Sequence, residues 1–107
     1  MTYGVALAAL SDPTRRLVFE RILAGPRPVT AIAEGLPVSR PAVSQHLKVL
    51  KQAGLVRDVP VGTRRVYSLD PDGLAGLRDY LSRFWDTALQ SFKARVEQTD
   101  GQKEKRS

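Results

Sequence analysis

The chain has 107 residues, 42% of them hydrophobic, a net charge of +6 and no cysteine. That is enough for one small domain with a modest core and leaves no room for a second; a disulfide framework and a thiolate metal site are excluded. No run approaches the about 18 apolar residues of a membrane helix, and the opening MTYGVALAALSD has no basic flank, so neither a membrane span nor a signal peptide is expected.

The charge is unevenly placed. Residues 1–38 carry four arginines and three acids, and residues 68–107 carry seven bases and seven acids. Between them, residues 39–67 carry Arg40, Lys48, Lys51, Arg57, Arg64 and Arg65 against Asp58 alone, a net +5. A basic excess concentrated within a folded domain points to a polyanion, most often nucleic acid. A solvated basic face is the plainer explanation, and charge alone does not separate the two.

The first helical pattern, Tyr3 to Leu10, is short and rich in alanine. In SDPTRR, Asp12 is a cap and Pro13 suits a first helical position, where no N–H is needed. A second helix follows through Leu17, Val18, Phe19, Ile22 and Leu23 and stops at Gly25-Pro26. Thr30 to Leu36 gives one or two turns, ended by Pro37.

Ser39 is the next cap, with Pro41 fixing the first turn of a fourth helix that ends at Gly54. At about 100° per residue, Val43, His46, Leu47, Leu50 and Ala53 fall on one side of it. Pro41, Ser44, Gln45, Lys48 and Gln52 fall on the other.

LVRDVPVGTRRVYSLD reads as two strands, Val56–Val59 and Arg64–Leu69, around a turn at Gly62. Pro60 forbids one ladder bond near the tip, as in an exposed hairpin. Asp70 caps the last helix before Pro71. There Leu74, Leu77, Leu81, Phe84 and Ala88 recur at alternating spacings of three and four, a coiled-coil-like seam. Trp85, Leu89, Phe92 and Val96 form a second apolar line. A helix from about 71 to 96 is roughly 39 Å long, longer than the remaining globule, so part of its apolar surface needs a partner. The polar end TDGQKEKRS has no apolar residue and is expected to be disordered, which divides the chain into a domain over 1–97 and a tail over 98–107.

Two short helices, a tight connection, a longer helix with a polar outer face and a basic hairpin make a winged helix-turn-helix: mainly α, with five helices and a two-stranded wing. An α-helix fits the B-form major groove and brings its N-terminal residues to the base edges. Gln45 can pair bidentately with adenine; Arg40 can do the same with guanine or hold a phosphate. Ser44 is short enough for close backbone approach, and Lys48 reaches a phosphate one turn on. Behind the Ser39 cap, helix N–H groups favour an anionic oxygen. Arg64 and Arg65 place cations where a wing meets the minor groove or its phosphates.

The span from LSDPTRRLVFERIL through VSRPAVSQHLKVLKQAGLV to GTRRVYSLDP resembles the ArsR/SmtB family of winged-helix transcriptional repressors, over about residues 3 to 97. The most specific part is S-x-H-L-x-x-L-x-x-A-G-L-V, Ser44 to Val56. The resemblance implies a homodimer formed through the first and last helices, a recognition helix over about 39–53, a wing over about 57–68 and repression by occupying an operator. On that basis the expected DNA-contact set is Ser39, Arg40, Ser44, Gln45, His46, Lys48, Arg64, Arg65 and Tyr67. The expected dimer interface is Tyr3, Leu7, Leu77, Leu81, Phe84, Trp85, Ala88, Leu89 and Phe92.

Metal-sensing family members carry cysteines before the recognition helix or His and acidic ligands along the last one. Here VTAIAEGL has no sulfur, and the last helix has Asp79 and Asp86 but no histidine. Neither set suits a cation such as zinc; no metal and no cofactor are expected.

His46, the only histidine, lies at the margin of the apolar stripe. That position favours half-buried packing over base contact, and a phosphate hydrogen bond from its outer nitrogen fits either. Ser44 and Gln45 are otherwise ordinary surface residues, and Arg64 and Arg65 otherwise guard a hairpin edge; their company favours DNA. Phe84, Trp85 and Phe92, at helical spacing, fit core or interface better than a ligand cavity. Arg15 and Arg16 either touch phosphate or are solvated. No Ser/His/acid grouping, thiol or glycine-rich phosphate loop supports an enzyme. The expectation is a cytoplasmic homodimeric repressor on double-stranded DNA, with no membrane partner and no assigned inducer. The alternative is a winged helix that docks proteins through its aromatic last helix.

Overall fold

Helix α1 spans Tyr3–Ala9 and α2 Pro13–Leu23 in the computed structural model, which describes the backbone of residues 3–106 and the side chains of residues 3–98. The Asp12 carboxylate accepts from the Arg15 N–H at 2.9 Å, closing the first turn of α2 with Pro13 just inside it. The arginines that follow bind back to α1: Arg15 Nη1 donates to the Ala9 carbonyl at 3.2 Å and Arg16 Nη1 to that of Leu10 at 3.4 Å. They thus supply donors to carbonyls at a helix end, a role neither sequence reading included.

Strand β1, Arg27–Pro28, precedes α3, Val29–Ala33. The third helix was expected to run on to Leu36. It stops earlier because Glu34 is extended and Gly35 takes φ +77°, a left-handed conformation that favours glycine. Helix α4, Arg40–Gln52, begins where the Ser39 side chain accepts from the Ala42 N–H at 3.3 Å, with Pro41 in its first turn. Its C-terminus closes in a Schellman arrangement: the Gly54 N–H donates to Lys51 and the Leu55 N–H to Leu50, both at 3.0 Å. Gly54 has the positive φ this requires.

Strands β2, Val56–Val61, and β3, Arg64–Leu69, pair antiparallel with Val61 opposite Arg64. That leaves a two-residue turn with positive φ at Gly62 alone, as a II′ turn demands. The expected two-stranded wing is extended: β1 pairs with β3, Arg27 opposite Tyr67 and Pro28 opposite Val66, so the sheet is three-stranded in the order β1-β3-β2. Two residues, one of them proline, carry no strand signal of their own; tertiary pairing makes them a strand, and the edge position suits the missing N–H.

Val18, Phe19 and Ile22 of α2, Ile32 of α3, Val43, Leu47 and Leu50 of α4, and Leu55 and Val56 at the start of β2 form the core. Each fully buried Leu or Ile stabilises by about 1.5–3 kcal/mol relative to exposure. This core is what holds the outer side of α4 in place.

Helix α5 runs from Pro71 to Arg106, with the Asp70 carboxylate accepting from the Asp72 and Gly73 N–H groups. It continues about ten residues past its expected end near 96. The tail over 98–107, expected to be disordered, is helical backbone as far as Arg106; its side chains beyond residue 98 lie outside the described ones. No proline follows Pro71 to interrupt the i to i−4 ladder, and a glycine such as Gly101 costs only about 1 kcal/mol. The chain divides into two compact units, one through Leu77 and one from Arg78, so the expected unit over 1–97 is divided within α5.

Candidate nucleic-acid interface

The two sides of α4 differ as the sequence pattern requires. Val43, Leu47 and Leu50 are fully buried, whereas Arg40, Pro41, Ser44, Gln45 and Lys48 are exposed. Residues three and four apart are neighbours on a helix, so Pro41, Ser44, Gln45 and Lys48 share one strip. Ser39, at the N-terminal end of the strip, is also exposed.

His46 is half-buried, as its marginal wheel position suggested. Asp12, the cap of α2, is held below the ordinary carboxylate range chiefly by the Arg15 N–H; the charges of His46 and Arg15 act in the same direction.

The wing distributes its cations over two faces. Adjacent strand residues point to opposite sides of a sheet. Val56, Asp58, Tyr67 and Arg65 therefore share the face on which Val56 is buried, while Arg57, Val59, Val61 and Arg64 share the other. Arg64 and Arg65 are both exposed, and Tyr67 is half-buried. The two arginines were expected to act alike; their positions are not equivalent.

A further group of side chains joins the wing to α4. Asp58 receives Lys51 Nζ at 2.7 Å on one carboxylate oxygen and Arg65 Nη1 at 2.9 Å on the other. Its side chain is only 6% exposed, against 56% and 60% for the two cations. The hydrogen bond from Lys51 holds the carboxyl below its ordinary pKa, and the charge of Lys51 and then Arg65 adds to this against the cost of burial. Asp58 thus joins the last turn of α4 to both strands of the wing. The sequence hint was its isolation, as the sole acid in residues 39–67; the pairing itself needs the register of β2 on β3.

Beside the wing, Pro28, Val29, Thr30, Arg64 and Arg65 line a shallow cavity of about 160 Å³. Among the described residues no group of three or more His, Cys, Asp or Glu side chains gathers as a metal site, and no helix is long and apolar enough to cross a membrane.

Of the expected interface residues, Leu77 is buried within the chain. Tyr3 is half-buried, with its ring against Gly76 of α5, and Leu7 is exposed. In the unit from Arg78, Leu81 and Ala88 are half-buried, while Phe84, Trp85, Leu89 and Phe92 are 57–64% exposed. Phe84 and Trp85 meet edge to face with ring centres 6.3 Å apart.

Comparison with known proteins agrees with this geometry. Residues 10–59 match the model of a helix-turn-helix domain. The chain is 62% identical over 87 residues to the HTH-type transcriptional regulator Rv2034 of Mycobacterium tuberculosis, covering 81% of each protein. Among solved structures, it superposes on an ArsR-like transcriptional regulator from Rhodococcus sp. RHA1 with a TM-score of 0.70 and 33% identity, over 84% of this chain and 88% of that one. The homodimeric winged helix-turn-helix DNA-binding domain of Mb0332 from Mycobacterium bovis, described as a possible ArsR-family regulator, gives a TM-score of 0.63 and 28% identity over 80% of each chain.

Proposed function

The chain belongs to the ArsR/SmtB family of winged-helix transcriptional regulators, not to an enzyme class, and from that premise we propose that it is a homodimeric repressor which occupies a pseudo-palindromic operator. A regulator of transcription works where the DNA is, which makes it cytoplasmic in a bacterial cell.

In this reading the N-terminal half of α4 enters the major groove. Gln45 pairs with the edge of an adenine, and Arg40 takes a guanine or a phosphate. Ser44 lets the backbone close in, Lys48 binds a phosphate, and the N–H groups behind Ser39 receive another. Half-buried His46 packs inward and turns its outer nitrogen to the backbone. On the wing, Arg64 is free to follow the minor groove or its phosphates. Arg65 and Tyr67 contribute from the opposite face, Arg65 through the N–H groups that Asp58 leaves over.

A pseudo-palindrome needs two copies of α4 about 34–36 Å apart, and apolar residues of α1, Tyr3 and Leu7, and of α5, Leu81, Phe84, Trp85, Ala88, Leu89 and Phe92, are proposed to pair them. A dimer seated across successive grooves blocks other proteins from the same DNA, which is repression. No metal-sensing role is proposed, because the residues at the two family positions lack the sulfur and imidazole donors that zinc prefers, and no inducer is assigned.

The observation that carries the proposal is the polar strip Ser44, Gln45 and Lys48 standing exposed on a helix whose opposite side is fully buried. The test is affinity for duplex DNA against salt. About three phosphate contacts per protomer predict a slope of log affinity on log salt of roughly −5. The second reading, a protein-docking module, rests on the exposed Phe84, Trp85, Leu89 and Phe92; a flat salt response, or no duplex binding at low salt, would favour it.

A further inference from the structure

We propose that Asp58 sets the sequence discrimination of this protein by withholding Lys51, and in part Arg65, from the phosphates of arbitrary DNA. The inference rests on the DNA-binding reading and adds a residue to it that touches no DNA.

A carboxylate that is 6% exposed, with an ammonium on one oxygen and a guanidinium on the other, stands in the most basic stretch of the chain. It neutralises one positive charge per protomer where a phosphate-binding surface gains from every cation. It does not serve to compensate buried cations, because Lys51 and Arg65 are themselves 56% and 60% exposed. Left alone they would be two mobile cations at the wing side of α4, each able to displace a counterion from any duplex. Both atoms of the carboxylate are occupied, one by each cation, so neither is idle.

Binding to random sequence is almost wholly such counterion release, whereas operator binding adds base-edge contacts from the N-terminal half of α4. Reducing the first while leaving the second raises the ratio between them, and it is that ratio that decides occupancy among many competing sites. Arg40, Lys48, Arg57 and Arg64 take part in no ion pair with Asp58 and remain for the backbone.

Asp58→Asn keeps the side-chain shape and removes the charge. With a 30-base-pair mixed-sequence duplex as the probe, the variant is expected to bind more tightly than wild type at low salt. Its slope should be steeper by about 2–4 for a dimer, at about 0.9 per added phosphate contact. Tighter affinity for fragments selected from the source genome by the wild type should rise less, so the selected-to-random ratio falls. If Asp58 only scaffolds the wing, affinity for both DNAs falls together, which overturns the proposal; so does an unchanged slope in a variant with native circular dichroism.

Lys51→Gln in the otherwise intact protein gives the independent arm, and stands even if Asp58→Asn fails to fold. A lysine already withheld contributes little, so the random-duplex slope should stay within about 0.5 of wild type. A flattening by about 2, the full share of one contact per protomer, would overturn the proposal. Failure of the DNA-binding reading looks different: wild type itself would show no duplex affinity.

Discussion

Gly73, in the first turn of α5, lies against the carbonyl of Gly54, in the turn that ends α4. A Cβ added at Gly73 would overlap the Gly54 oxygen, with the carbonyl carbon 2.8 Å away. Backbone meets backbone here, and neither side has a flexible side chain to move. Gly54 is fixed in turn by the hydrogen bond from its N–H to Lys51 and by its positive φ.

Gly73→Ala is therefore expected to destabilise the fold by about 1–3 kcal/mol, the usual range for overpacking, although alanine is the better helix former. Chemical denaturation of the two proteins checks this. An equal or higher midpoint would mean that the α4–β2 turn and the start of α5 are not packed as described.

Asp58 makes acid stability sensitive to one residue. Its carboxyl is held below the ordinary value of 3.8, so its ion pairs stabilise the fold fully above the unfolded-state pKa, about 3.9. That contribution is lost as pH falls through the lowered folded-state value. The difference in melting temperature between wild type and Asp58→Asn should be constant from about pH 7 to 5 and shrink below about pH 4. A difference that persists at pH 2 would assign the effect to packing.

The helices and the wing were legible because their signals are local. Asp12-Pro13, Ser39-x-Pro41 and Asp70-Pro71 mark helix starts, Gly54 a helix end and Gly62 a hairpin turn, each through backbone chemistry that needs no distant partner. The apolar stripe of α4 was readable for the same reason. β1 was not, since two residues have no periodicity, and the burial of Leu77 was not, since seam spacing marks an apolar position without saying what covers it. The division between Arg64 and Arg65 follows from strand alternation, but which of them faces α4 depends on pairing. Likewise the sequence leaves Arg15 and Arg16 as phosphate ligands or solvated charges, whereas their guanidinium groups lie on the Ala9 and Leu10 carbonyls at the end of α1.

That division leads to unequal wing variants. Arg64→Ala should weaken all duplexes alike and flatten the salt slope by about 2 for a dimer. Arg65→Ala should do less, because one of its nitrogens already serves Asp58. Fluorescence titration with several unrelated duplexes measures both. An Arg64→Ala loss confined to one sequence, or a larger effect at Arg65, would contradict the placement of the wing.

For assembly, Leu81→Glu with Trp85→Glu puts charge into the proposed pairing surface. Sedimentation should change from dimer to monomer, and duplex affinity should fall by much more than a single phosphate contact is worth, since the second half-site is lost. Unchanged sedimentation would remove these residues from the interface.

In the proposed complex the exposed strip of α4 reads bases, twice over in a symmetric pair. Genomic fragments selected by the wild type and by Gln45→Ala, followed by footprinting, test it most directly. Two protected half-sites one helical turn apart are expected, with Gln45→Ala losing preference at one position in each, a cost of about 1–3 kcal/mol. A single unsymmetrical site, or an identical sequence preference in the variant, would contradict it.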